Sequence, residues 1–146
     1  MITVYVTGDR SMDALTAFSI TVTVLEHEMK AHPEGLKFIT GNSVTGIERA
    51  VRYLIPEQFV QVLKRETTVE GHIDFDKANS LAAVDTDYAV VIHPKPLDSR
   101  IAKSVAMVFQ NAGKEALFPL DVVLNKAPDD TSELFPEEAK KKNPES

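Results

Sequence analysis

The chain has 146 residues, 43% of them hydrophobic, enough for one well-buried domain and hardly for two. It contains no cysteine, which excludes both a disulfide framework and a thiolate metal site. The formal charge of −6 argues against a surface that is basic all round, while leaving room for a basic cleft on one face.

Met1 runs straight into a strand-like segment with no signal peptide, and no apolar run is long enough to span a bilayer. The expectation is a cytoplasmic protein without a membrane partner. Ile2 to Val6 is a continuous β-rich run, the form of a strand buried on both faces. After Thr7-Gly8-Asp9-Arg10-Ser11, either Ser11 or Asp13 can cap a helix with the apolar stripe Leu15, Phe18, Val22, Leu25 and Met29. Ser19 to Val24 is β-branched and pulls locally toward strand, but the stripe holds for four turns before His32-Pro33-Glu34-Gly35 ends it.

Leu36 to Leu54 is the segment around which the chain is organised. It reads as a buried strand (Leu36 to Thr40), a turn bounded by Gly41 and Gly46, and a helix with Val44, Ile47, Val51 and Leu54 on one face. Unpaired N–H groups and the helix dipole at such a corner favour an anion. Asn42, Ser43 and Thr45 supply helix caps or ligand donors.

Phe59 to Leu63 reads as a third strand. Thr68 to Phe75 alternates apolar and polar residues, as an edge strand or an extended loop does. Asp76 is placed to cap a short helix carrying Ala78, Leu81, Ala82 and Val84. Tyr88 to Ile92 is a buried strand, and a helix from about Ser99 to Ala112 closes at Gly113. Ala116 to Leu120 reads as a last core strand, with Val122 to Leu124 continuing it or lying at an edge. Residues 126–146 hold three prolines, mixed charge and only Leu134 and Phe135 as bulky apolar groups, so a flexible tail is expected after a domain of residues 1–125.

Strands alternating with helices at this spacing predict a single α/β domain, a Rossmann-like three-layer α/β/α fold with a mostly parallel sheet. Ligands of such folds bind beyond the carboxyl ends of the strands, where strand order switches. Three loops are expected to meet there. The candidate phosphate-binding residues are Gly8, Asp9 and Arg10 in the first, Gly41, Asn42, Ser43, Thr45, Gly46 and Glu48 at the second, and Lys95, Ser99 and Arg100 at the third.

The segment VYVTGDR resembles the Gly-x-Arg opening strand of the SLOG superfamily of Rossmann-like domains. FITGNSVTGIERAVRYL is similar to the (V/I)SG-x-A-x-GID segment of DNA-processing protein A (DprA/Smf), with Gly41, Gly46 and Ile47 matching and Glu48 in place of Asp. DYAVVIHPKPLDSRIAKSVAMVFQNAGKEALFPLD resembles a later DprA block, with Ser99 near the family's serine motif. Small YspA/YpsA-like proteins belong to the same group. The PGG-x-GT-x-x-E signature of the LOG nucleotide hydrolases is absent, its place taken by HPKPLDSR, and the glycine beside the DprA serine is missing.

What the resemblance implies is a non-enzymatic domain that binds a nucleotide, a nucleotide-derived signal or single-stranded DNA. It also implies a homodimer or higher homo-oligomer. The alternatives are a LOG-like phosphoribohydrolase acting on nucleoside monophosphates and an interaction protein acting through its tail. No catalytic residue, metal ligand or cofactor is assigned.

Each candidate residue also has a plain structural role. Arg10 either reaches a phosphate or pairs at the surface with Asp9 or Asp13. Glu48 either contacts a ribose or acts as a base, or it complements the positive helix end. Lys95, Ser99 and Arg100 form a second anion contact or merely a solvated loop and helix start. His72, Asp74 and Asp76 have the spacing of a metal site but read better as an alternating edge. His93 reads as a structural loop histidine, and Arg49 and Arg52 as solvent-facing residues.

Overall fold

The computed structural model describes residues 1–120. The strand continuation expected at Val122 to Leu124 and the tail at 126–146 lie outside the described residues. Five strands form one sheet: β1 (Ile2–Gly8), β2 (Leu36–Gly41), β3 (Val60–Leu63), β4 (Tyr88–Ile92) and β5 (Glu115–Leu117). Their order is β3-β2-β1-β4-β5 and every pairing is parallel. β1 is central, with Val4 opposite Phe38 of β2 on one side and Tyr88 of β4 on the other.

Four helices connect the strands: α1 (Ala14–Ala31), α2 (Gly46–Leu54), α3 (Phe75–Asp85) and α4 (Arg100–Asn111). The chain first winds outward from β1 to β3, then returns past β1 to β4 and β5. With right-handed crossovers, this reversal sends the two helix pairs to opposite faces. The core is divided accordingly. Val4 and Val6 pack with Ala17, Val24 and Leu25 of α1 and with Ile47, Ala50 and Val51 of α2. Tyr5, Ala89 and Val91 pack with Ala82 and Ala83 of α3 and with Ile101, Val105 and Phe109 of α4. The expected three-layer α/β/α architecture is therefore present, with an entirely parallel sheet.

The helix faces differ from the sequence expectation. α1 buries Ala17, Thr21, Val24, Leu25 and Glu28, whereas Leu15, Val22 and Met29 of the expected stripe are exposed. The buried side thus carries Ala and Thr at 17 and 21, and buried Glu28 is satisfied by the Tyr88 hydroxyl at 2.6 Å. Val44 precedes α2 and is exposed, as are Leu81 and Val84 on α3. The cap of α3 is Asp74, not Asp76, and accepts from the Lys77 N–H at 3.0 Å. Residues 67–73 form a loop closed by one antiparallel bridge between Thr67 and Ile73, with Gly71 at φ +88°. β3 begins only after a 3₁₀ turn at Glu57–Phe59, and β5 is shorter than the expected run.

Of the two caps offered for α1, Asp13 is used: its carboxylate accepts from the Thr16 N–H at 3.0 Å and the Thr16 hydroxyl at 2.8 Å. The Thr16 N–H bond first, then the hydroxyl bond, hold the Asp13 pKa below the usual carboxylate value. A lowered folded pKa means that this cap stabilises above the unfolded carboxylate pKa and is lost as pH falls through the folded one. Asp13→Ala is expected to lower the thermal midpoint and remove that acid-side component. Asp13→Asn keeps an acceptor and is expected to retain most of the midpoint. Equal midpoints for wild type and Asp13→Ala in thermal melts at neutral pH would contradict the assignment.

Candidate functional site

The carboxyl ends of β1 and β4 lie side by side, and strand order reverses between them. Gly8 fits there because a Cβ at this position would collide with the Ile92 carbonyl of β4. The Asp9 N–H donates to that carbonyl at 2.9 Å, which keeps the two chain exits together. Asp9 then turns the chain through bonds from the Ser11 N–H (2.8 Å) and hydroxyl (2.7 Å) to its carboxylate. Ser99 caps α4, its hydroxyl accepting from the Ala102 N–H at 3.1 Å.

These two loops, with Thr45 and Phe75, line an open hollow of about 520 Å³ whose walls are Gly8, Asp9, Arg10, Ser11, Thr45, Phe75, His93, Asp98, Ser99, Arg100 and Ile101. Its cationic members are Arg10 and Arg100, with His93 beside them. Arg10 makes no ion pair among the described residues, so the expected alternative of pairing with Asp9 or Asp13 is not what the structure has. The Arg100 guanidinium lies over the Phe75 ring, 5.6 Å from its centroid. His93 Nδ1 accepts from the Lys95 N–H at 2.9 Å, a structural loop role. The dipole of the twelve-residue α4 adds partial positive charge at Ser99 and Arg100, partly offset by Asp9 and Asp98.

The second expected loop contributes differently. Gly46, at φ +70°, presses against the first loop: a side chain there would meet the Asp9 carbonyl and Arg10 Cα. The Ile47 N–H at the start of α2 donates to the Asp9 carbonyl at 3.0 Å, and the Thr45 hydroxyl donates to the Arg10 carbonyl at 2.7 Å. Part of the donor set expected to meet an anion is thus spent on the neighbouring loop. Thr45 reaches the hollow; Gly41, Asn42, Ser43, Gly46, Glu48 and Lys95 do not line it.

Glu48 is fully buried. Its carboxylate accepts from the Arg65 guanidinium (Nη1 at 2.6 Å), from the Thr7 hydroxyl and from the Ser43 N–H at 3.1 Å. Gly41 is required beside this pair, because a Cβ there would collide with Arg65 and with both Glu48 oxygens. Arg52 is only half exposed and donates to the carbonyls of Gly41 and Ser43, so it fastens the turn and is not the solvent-facing residue expected.

The network continues across the domain. Arg65 Nη2 donates to the Tyr5 hydroxyl at 3.0 Å, Tyr5 to Asn79 at 2.7 Å, Asn79 to Ser104 at 2.9 Å, and Ser104 to Asp76. Burial works against the Arg65 charge, but the Glu48 bonds and the field of Tyr5 outweigh it and hold its pKa above the usual arginine value. Arg65 also packs on Phe75, 5.6 Å from the ring centroid, on a ring that Arg100 contacts as well.

Sequence reading missed Arg65 and Phe75. Position supplies the one available signal for Arg65: two residues past β3, it sits on the same rim as the other loops. Among the described residues, no three His, Asp or Glu side chains, including His72, Asp74 and Asp76, are grouped to hold a metal ion. No helix among them is long and apolar enough to cross a membrane. No family model, curated protein or solved structure matches the chain.

Proposed function

We propose that this chain is a non-enzymatic binding protein for a phosphorylated ligand, a nucleotide or single-stranded DNA, of the DprA-like kind within the SLOG superfamily. The observation that carries this reading is the pairing of Arg10 with Arg100 and the start of α4 in one hollow at the β1–β4 switch point. A phosphate placed there meets two guanidinium groups and the positive end of a helix. Glu48 is spent on Arg65 and does not line the hollow, so a role at a ribose or as a base is not part of the proposal.

Fluorescence or calorimetric titration with nucleoside monophosphates and with short single-stranded DNA tests it. Loss of the charge-assisted bonds made by Arg10 amounts to ~1.5–3 kcal/mol, so Arg10→Ala is expected to weaken binding roughly ten- to a hundredfold. DNA binding is expected to fall steeply with added salt. No binding of either ligand by wild type would contradict the proposal, and release of free base from a nucleoside monophosphate would replace it with a hydrolase.

A further inference from the structure

A second open hollow, of about 530 Å³, adjoins the phosphate hollow and shares two of its walls, Phe75 and Arg100. It lies between the loop preceding α3 and the first two turns of α4, with Ile73 and Met107 among its apolar walls. Each hollow has the size of a small-ligand site. Their chemistry differs. The first gathers Arg10 and Arg100 at the start of a helix, whereas the second sets the carboxylates of Glu70, Asp74 and Asp76 against Arg100 and Lys103. The Ser104 hydroxyl there is spent on Asp76, so a phosphate would meet carboxylates in excess. A neutral group that donates hydrogen bonds fits better. Glu70 makes no ion pair among the described residues, which leaves its carboxylate open to such a donor.

Phe75 stands at the junction of the two hollows. Its ring is half-buried and packs on Arg65, which the Glu48 carboxylate holds in place. A fixed aromatic ring is a stacking surface for a flat heterocycle. We propose that the second hollow receives the nucleoside half of a nucleotide whose base carries an exocyclic amino group. The base lies against Phe75 and Met107, and its amino group donates to Glu70. This placement rests on the phosphate reading of the first hollow.

Calorimetric titration of the full chain with cytidine monophosphate, uridine monophosphate and ribose phosphate tests it. Cytosine carries an amino group where uracil carries a carbonyl, so the two nucleotides differ at the atom in question. Cytidine monophosphate is expected to bind at least about tenfold more tightly than either of the others. Met107→Trp fills the second hollow without altering the walls of the first, and is expected to abolish the advantage over ribose phosphate. Glu70→Ala is expected to equalise the cytidine and uridine compounds. Both positions are exposed, and circular dichroism of each variant checks that the fold is kept. A wild type that binds cytidine monophosphate no more tightly than either comparison compound overturns the placement and leaves the phosphate reading intact. So does a cytidine preference that survives both substitutions. Failure of all three compounds to bind overturns both.

Discussion

Replacing Glu48 with alanine is expected to lower the free energy of unfolding by about 3–5 kcal/mol, the cost of stranding one member of a buried ion pair. Glu48 is 0% exposed and the Arg65 side chain 4% exposed, so water cannot take over the missing carboxylate. Thr7 and the Ser43 N–H lose their acceptor in the same step. The double variant Glu48→Leu/Arg65→Met removes both charges and is expected to lose less than Glu48→Ala alone, since a well-packed apolar pair is often no worse than an ionic one. Urea denaturation with linear extrapolation reads both values. A Glu48→Ala protein as stable as wild type would mean that the pair is solvated in solution. The same network shapes the alkaline limit. Burial, first among its causes, pushes the Tyr5 phenol up to about 12. A raised folded pKa gives a contribution that is intact below the unfolded tyrosine pKa and is lost as pH rises toward 12.

Gly46→Ala is expected to cost about 2–5 kcal/mol, combining left-handed backbone strain with a steric clash. At φ +70° its new methyl group would strike the Asp9 carbonyl and Arg10 Cα, backbone atoms that yield only if the first loop moves. Gly113→Ala is the internal control: its φ is +73°, but a Cβ there meets nothing within 4 Å. It carries the strain without the clash. The difference between the two variants therefore measures how firmly α2 is seated against the loop that bears Arg10. Equal losses in paired denaturation experiments would show that the loop relaxes freely. A larger loss for Gly46→Ala, accompanied by weaker nucleotide binding, is the expected result.

The parts of this architecture that were legible in the sequence are those fixed by local chemistry. Tyr88 to Ile92 is an unbroken apolar run and forms β4 with those bounds. Ser99 and Asp13 stand where helix caps belong, and each accepts from the N–H three residues on. Gly41 and Gly46 marked a turn that tolerates no side chain, although the reason lies in Arg65 and in the first loop rather than in a ligand. Tertiary packing decided the rest. α1 buries Ala17 and Thr21 and leaves Leu15, Val22 and Met29 exposed, a choice of face that hydrophobic spacing cannot foresee. Glu48 resembled an accessible carboxylate at a helix start, and only the fold brings Arg65, seventeen residues away, across to cover it. Phe75 was equally hidden, since its loop carries a strand-like alternation that ends in a helix start.

Whether a phosphate occupies the space between the β1 and β4 exits is tested most directly by amide chemical shifts of the full chain during titration with a nucleoside monophosphate. The expected outcome is a saturable change shared by the amides of Asp9 to Ser11 and Ser99 to Ile101, and largely abolished by Arg10→Ala. Shifts confined to other surfaces, or movement of one loop without its neighbour, would contradict it.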